Sequence, residues 1–202
     1  MDELKVLWLQ TLQTVIDKAA HEIKDSLNGV SLNLEVVRSR SERDGAAAGL
    51  AQFAASAASQ LENLTERTEA LLFLARPARE GSQPDVALTL RHLATLLVPA
   101  AKADGVRLEV SGWERPAPTT APSSGVRLAL ASGLLALMER GGSGRCSLDS
   151  TRDAVVRFSH ESAETCSLDS ATAASLAEQN IVIQRGDRVE RSGDLLMIFP
   201  GS

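Results

Sequence analysis

Two heptad seams dominate the first 78 residues. Leu9, Ile16, Ala20, Ile23, Leu27, Val30, Leu34 and Val37 are apolar, and from Ile16 onward they alternate steps of four and three. That spacing draws one continuous apolar line along a helix, so a single helix is expected over 3–42. Gly29 lies inside it and costs roughly 1 kcal/mol relative to Ala, but the seam runs on through it. The stretch RDGAAAG at 43–49 breaks the pattern, with Asp44-Gly45 as a turn signal. A second seam follows at Leu50, Ala54, Ala57, Leu61, Leu64, Thr68, Leu71 and Ala75, and Pro77 should end it. Two helices with a short connection make an antiparallel hairpin. A lone hairpin leaves much of both seams wet. Two hairpins paired as a four-helix bundle cover them, so a homodimer is expected.

The remaining length holds a second unit. PAREGSQPD at 77–85 is a linker by composition, giving an expected division into 1–78 and 84–202. Beyond it the patterning predicts a helix at 85–103, a strand at 105–111 and a strongly apolar helix at 125–140. Strands are expected near 145–149 and 153–159, a helix at 168–179, and strands at 180–185 and 193–199. This α–β–α–β–β–α–β–β order predicts an α+β sandwich, with helices on one face of a mixed sheet.

Several function classes fit poorly. The formal charge is −5 and no basic block stands out, which argues against a nucleic-acid partner. MDELKVLWLQTLQ is amphipathic and acidic, unlike a signal peptide, and no uninterrupted apolar run reaches membrane-spanning length. A soluble cytoplasmic protein without membrane association is expected. Cys146 and Cys166 each begin a CSLDS pentapeptide; one short match is not a repeat architecture. Two cysteines make no disulfide framework and too few ligands for a zinc site, so both thiols are read as reduced and structural.

His21 opens the stretch HEIKDSLNG. With Ala20 and Ile23 on the seam, His21 points away from it and shares an outward stripe with Lys18, Asp25 and Asn28; Glu22 lies about 100° round on the flank. A lone histidine on a helix is most often one more residue of a solvated face, and it is the neighbours that shift the balance. HEIKDSLNG resembles the H-box of two-component histidine kinases, matching at His21, Glu22, Ile23, Lys24 and Leu27. LENLTERTEALLFLARP resembles the close of that family's hairpin, and the likeness covers 1–78. It implies that His21 is the phosphoacceptor and that Glu22 orients or deprotonates its imidazole, with Lys24 and Asp25 completing the site. Asp25 stands where the family has Asn or Thr, the side chain linked to dephosphorylating a partner. Ser26 stands where Pro is usual, so the customary kink is not expected.

The element order after the linker is similar to the family's ATP-binding domain, but its nucleotide motifs are missing. The helix LALASGLLALMERGG has no Asn for magnesium, and SHESAETCS, after AVVRF, has no Asp-x-Gly-x-Gly. ERGGSGR at 139–145 lacks the Lys-Ser/Thr of a P-loop and reads as a helix-ending turn. His92 reads as surface or packing. His160 beside Glu161 has no second ligand at metal spacing and reads as structural. The whole plan resembles the ChpT-type and sporulation phosphotransferases: dimers that keep the histidine and use no ATP. The resemblance implies a histidine phosphotransferase with no cofactor of its own, relaying phosphoryl groups between response-regulator receiver domains, with Mg²⁺ on the partner receiver and possible contact with a hybrid histidine kinase. The N-terminal half of the first helix and the degenerate domain would be the docking surfaces. The competing reading is a non-enzymatic pseudokinase or adaptor in which His21 is vestigial.

Overall fold

A computed structural model describes residues 3–41, 47–77, 83–150, 153–162, 167–185 and 194–201. The expected turn at Asp44-Gly45, most of the linker after Pro77, and Cys166 lie outside the described residues. Both seams form helices: α1 spans Glu3–Ser41 and α2 spans Ala47–Ala75. They pack side by side, and Asn33 Nδ2 donates to Gln60 Oε1 across them at 3.1 Å.

The second segment follows the expected order. α3 (Val86–Ala103) begins where the Asp85 carboxylate accepts from the Leu88 amide, satisfying a donor the first turn leaves open. β1 (Arg107–Ser111), α4 (Ser123–Arg140), β2 (Ser143–Ser150), β3 (Ala154–His160), α5 (Ser170–Ala177), β4 (Val182–Arg185) and β5 (Leu195–Phe199) follow. The sheet runs β1-β2-β3-β5-β4, with β1–β2 parallel and the other neighbours antiparallel. Period-two alternation places Cys146, Leu148, Val156, Phe158, Met197 and Phe199 on one buried face. α4 covers that face, and nearly all its side chains from Val126 to Met138 are buried, as expected of a helix apolar on every side. The opposite face carries Glu109, Arg145, Ser147, Asp149 and Arg157 in an open groove of about 650 Å³.

The hairpin does not stand apart from this domain. Leu4, Trp8, Leu12, Val15 and Ala19 of α1, with Ala70 and Leu74 of α2, join one apolar cluster with α3, α4 and the sheet. This changes two expectations. The N-terminal half of α1 has one face already covered by its own chain, so that face is no docking surface. The buried line is also rotated about 100° from the expected seam: Leu9, Ile16, Leu27 and Leu34 remain exposed, and Ile23, Val30 and Val37 are half-buried. α1 therefore carries two apolar stripes, one docked within the chain and one left outside. α2 leaves Leu61 and Leu72 outside in the same way.

Arg127 of α4 joins the two parts. Its buried guanidinium donates through Nη1 to the carbonyls of Leu74 (3.1 Å) and Arg76 (2.7 Å), where α2 has no further turn to satisfy them, and it lies over the Phe73 ring. Burial lowers its pKa. Among the described residues, α3 is the helix long and apolar enough by length and composition to cross a membrane, although Arg91, His92 and Lys102 interrupt its apolar run; its apolar side is buried in the chain's own core.

Candidate functional site

His21 projects from α1 away from both apolar stripes, and its side chain is 73% exposed. α1 continues through Ser26 without interruption: unlike proline, serine keeps its backbone N–H, and its hydroxyl donates to the Glu22 carbonyl at 2.9 Å. The imidazole therefore sits within a continuous helix whose inner stripe is anchored in the core.

The carboxylate on the ring belongs to Asp25. Its Oδ2 lies 3.3 Å from His21 Nε2, one helical turn on, with the Asp25 side chain 57% exposed. Glu22, the expected orienting group, is turned into the groove between the two helices and only 21% exposed. Its carboxylate lies 3.9 Å from Arg67, whose Nη1 donates to the Glu22 carbonyl (2.8 Å) and to Ser26 Oγ (2.9 Å). The 100° between successive helical residues separates the two: His21 faces solvent while Glu22 faces α2. Lys24 is exposed on the outer side. Lys18, one turn before His21, reaches Asp104 at the end of α3 (2.6 Å), which brings the second segment up beside the histidine stripe.

The other two histidines are engaged. His92 stacks on Phe73, ring centroids 4.2 Å apart, where α2 meets α3. Burial, and then the neighbouring Arg91, lower its pKa against the opposing pull of Glu69. His160 closes the turn between α4 and β2. Its Nδ1 accepts from the Ser162 amide (3.1 Å), so the proton lies on Nε2, which donates to the Gly141 carbonyl at 2.7 Å. Gly141 ends α4 with φ +71°, the helix-ending turn expected there. Among the described residues no group of three or more His, Cys, Asp or Glu side chains is placed to hold a metal.

Two further cavities open among the described residues. One of about 600 Å³ lies between α5 and β4–β5; its described lining, which includes Leu168, Ala173, Ile181, Val182 and Leu195, carries no charged side chain. A cleft of about 360 Å³ between α2 and α3 is lined by Asn63, Glu66, Arg67, Arg91, Thr95 and Trp113, among others. Sequence reasoning missed Arg67 and Asp104. The available signal for Arg67 was the second stripe of α2: Ala57, Gln60, Leu64, Arg67 and Leu74 recur on one side, and a charged residue on a covered stripe calls for a partner. Nothing in the sequence pointed to Asp104.

No family model matches this chain, and no curated protein matches it. Among solved structures it is similar to the histidine kinase AdeS of Acinetobacter baumannii (11% identity, 90% of this chain and 98% of that one, TM-score 0.43). It is similar also to a bacterial phosphotransferase (16%, 93% and 94%, TM-score 0.39). A third is the histidine kinase domain of the blue-light-activated histidine kinase EL346 from Erythrobacter litoralis (13%, 85% and 94%, TM-score 0.40). At these TM-scores the likenesses assign no activity to this chain.

Proposed function

We propose that this chain is a histidine phosphotransferase in which His21 carries a phosphoryl group between receiver domains without using ATP. The observation that carries the reading is the presentation of His21: a largely exposed imidazole in an unbroken helix, directed away from both apolar stripes. In the forward step the Nε2 lone pair forms an N–P bond with a donor's aspartyl phosphate. The P–O bond breaks and the donor carboxylate leaves with its electron pair; the ring proton remains on Nδ1 until water takes it. In the return step an acceptor carboxylate forms the new P–O bond, the N–P bond breaks, and the pair returns to Nε2. A partner receiver would bring the Mg²⁺ that offsets charge in the transition state.

Two features support the absence of ATP use. α4 presents packing side chains where a nucleotide-binding helix would present magnesium ligands, and the cavity beside α5 has no charged group among its described lining to meet phosphates. The outer stripe of Leu9, Ile16, Leu27 and Leu34 supports a homodimer, because paired hairpins would remove it from water. The test is incubation with a phosphorylated receiver domain, following label onto this chain and onward to a second receiver. Label that reaches wild type and leaves for the second receiver supports the relay. Normal receiver binding with no labelling of His21 favours the adaptor reading, which draws its support from Asp25 resting on the nitrogen that would react.

A further inference from the structure

The contact between His21 and Asp25 has a definite chemical sign. A neutral imidazole has one protonated nitrogen and one with an available lone pair. A carboxylate oxygen 3.3 Å from a ring nitrogen favours the tautomer with the proton on that nitrogen, since two lone pairs would otherwise confront each other. Here that nitrogen is Nε2, the outward one. In that tautomer the available lone pair is on Nδ1, the ring nitrogen nearer the helix backbone. Asp25 also brings a full negative charge to the place an incoming phosphoryl group must occupy, and like charges a few ångströms apart repel even in water.

Glu22 does not compensate, because its carboxylate is held toward Arg67 inside the hairpin. Of the nearby cations, Lys18 is committed to Asp104, while Lys24 is exposed about 100° round the helix from Asp25. The result is a histidine that is sterically open yet chemically covered.

We propose that Asp25 is a restraining residue, which covers Nε2 of His21 and must move aside before the histidine can accept a phosphoryl group. This rests on the phosphotransfer reading and adds a selectivity to it. A donor that brings a cation with its phosphoryl group draws the Asp25 carboxylate off the ring; the Nε2 proton then passes to water as Nδ1 takes one up, and the freed Nε2 lone pair can form the N–P bond. A small anionic donor without such a cation meets the carboxylate and is slowed. His21 thereby discriminates against free phosphoryl donors in favour of a docked, cation-bearing partner.

The experiment uses the full chain, with Asp25→Asn and Asp25→Ala. Diethyl pyrocarbonate, a neutral reagent that acylates available imidazole nitrogens, is followed at each histidine by peptide mass mapping. His160, with both ring nitrogens bonded, and the stacked His92 serve as internal references. Potassium phosphoramidate, a small anionic phosphoryl donor, is followed in the same way. Asp25→Ala is expected to react at His21 at least threefold faster with pyrocarbonate, as a rough estimate for uncovering one nitrogen, while His92 and His160 stay unchanged. Both variants are expected to react about fivefold faster with phosphoramidate, from removal of one nearby charge in high dielectric. Unchanged pyrocarbonate reactivity at His21 in Asp25→Ala overturns the restraint. Faster pyrocarbonate reaction, with no phosphoryl group reaching His21 in any variant from phosphoramidate or a phosphorylated receiver, leaves the restraint standing and overturns the phosphotransfer reading.

Discussion

At the scale of single residues, exposure separates the three histidines. His21→Ala should leave the fold within about 0.5 kcal/mol of wild type, since an exposed helical position tolerates alanine. It should abolish labelling from a phosphorylated receiver, and labelled His21→Ala protein would refute the assignment. Glu22→Ala should instead lower hairpin stability by about 1 kcal/mol, because Arg67 loses its acid; denaturant titration reads this directly. His92 gives a pH signature. Its pKa is lowered in the folded chain, chiefly by burial, so the unfolded chain binds the proton more readily. Its contribution is complete above the unfolded value of about 6.5 and is lost as pH falls toward the folded pKa. Urea midpoints measured between neutral pH and pH 5 should therefore fall more steeply for wild type than for His92→Gln. The outward direction of His21 was legible in the sequence because it follows from helical pitch alone. The Asp25 contact was not, because spacing places two residues on one face without saying which ring atom meets which oxygen.

At the scale of elements, periodicity revealed nearly every helix and strand, and the order along the chain emerged as read. It did not reveal which stripe of a doubly apolar helix faces inward. Leu4, Trp8 and Leu12 prevailed over Leu9 and Ile16 because α3 and α4 arrive on that side, which no local pattern in α1 can signal. The outer stripe supplies a test. Leu27→Asp places a charge in the proposed dimer seam, where burial without a partner is costly. Light scattering should show the dimer mass for wild type and the monomer mass for the variant, with helix content kept, because Leu27 is 48% exposed in the single chain. Within the domain, α4 lies so close to the sheet that a Cβ on Gly133 would meet the Phe158 ring at 2.5 to 2.9 Å. Phe158 is fully buried and a rigid ring has little freedom to retreat. Gly133→Ala should destabilise by about 1–3 kcal/mol despite alanine's better helix propensity, as measured by thermal or urea unfolding.

At the scale of the whole molecule, the division at residue 78 that the sequence suggested is a division of chain and not of core. One apolar cluster spans both sides, and Arg127 ties the last carbonyls of α2 to α4. Composition marks linkers well because loops prefer Pro, Gly and polar residues. It is silent on whether the segments on either side pack together, which depends on the shape of two assembled surfaces.

The inner stripe of α1 has a consequence for biosynthesis. A ribosome releases the hairpin first, and α4, which covers that stripe and caps α2, emerges only after a further stretch of chain. During that interval both stripes of α1 are bare, and a second nascent hairpin can settle on either. The delay is thus a period of ambiguous partnering that ends when the domain folds down and leaves one stripe available. A fragment of residues 1–78, held permanently in that early state, should form heterogeneous assemblies larger than a dimer by light scattering at concentrations where the full chain gives a single species.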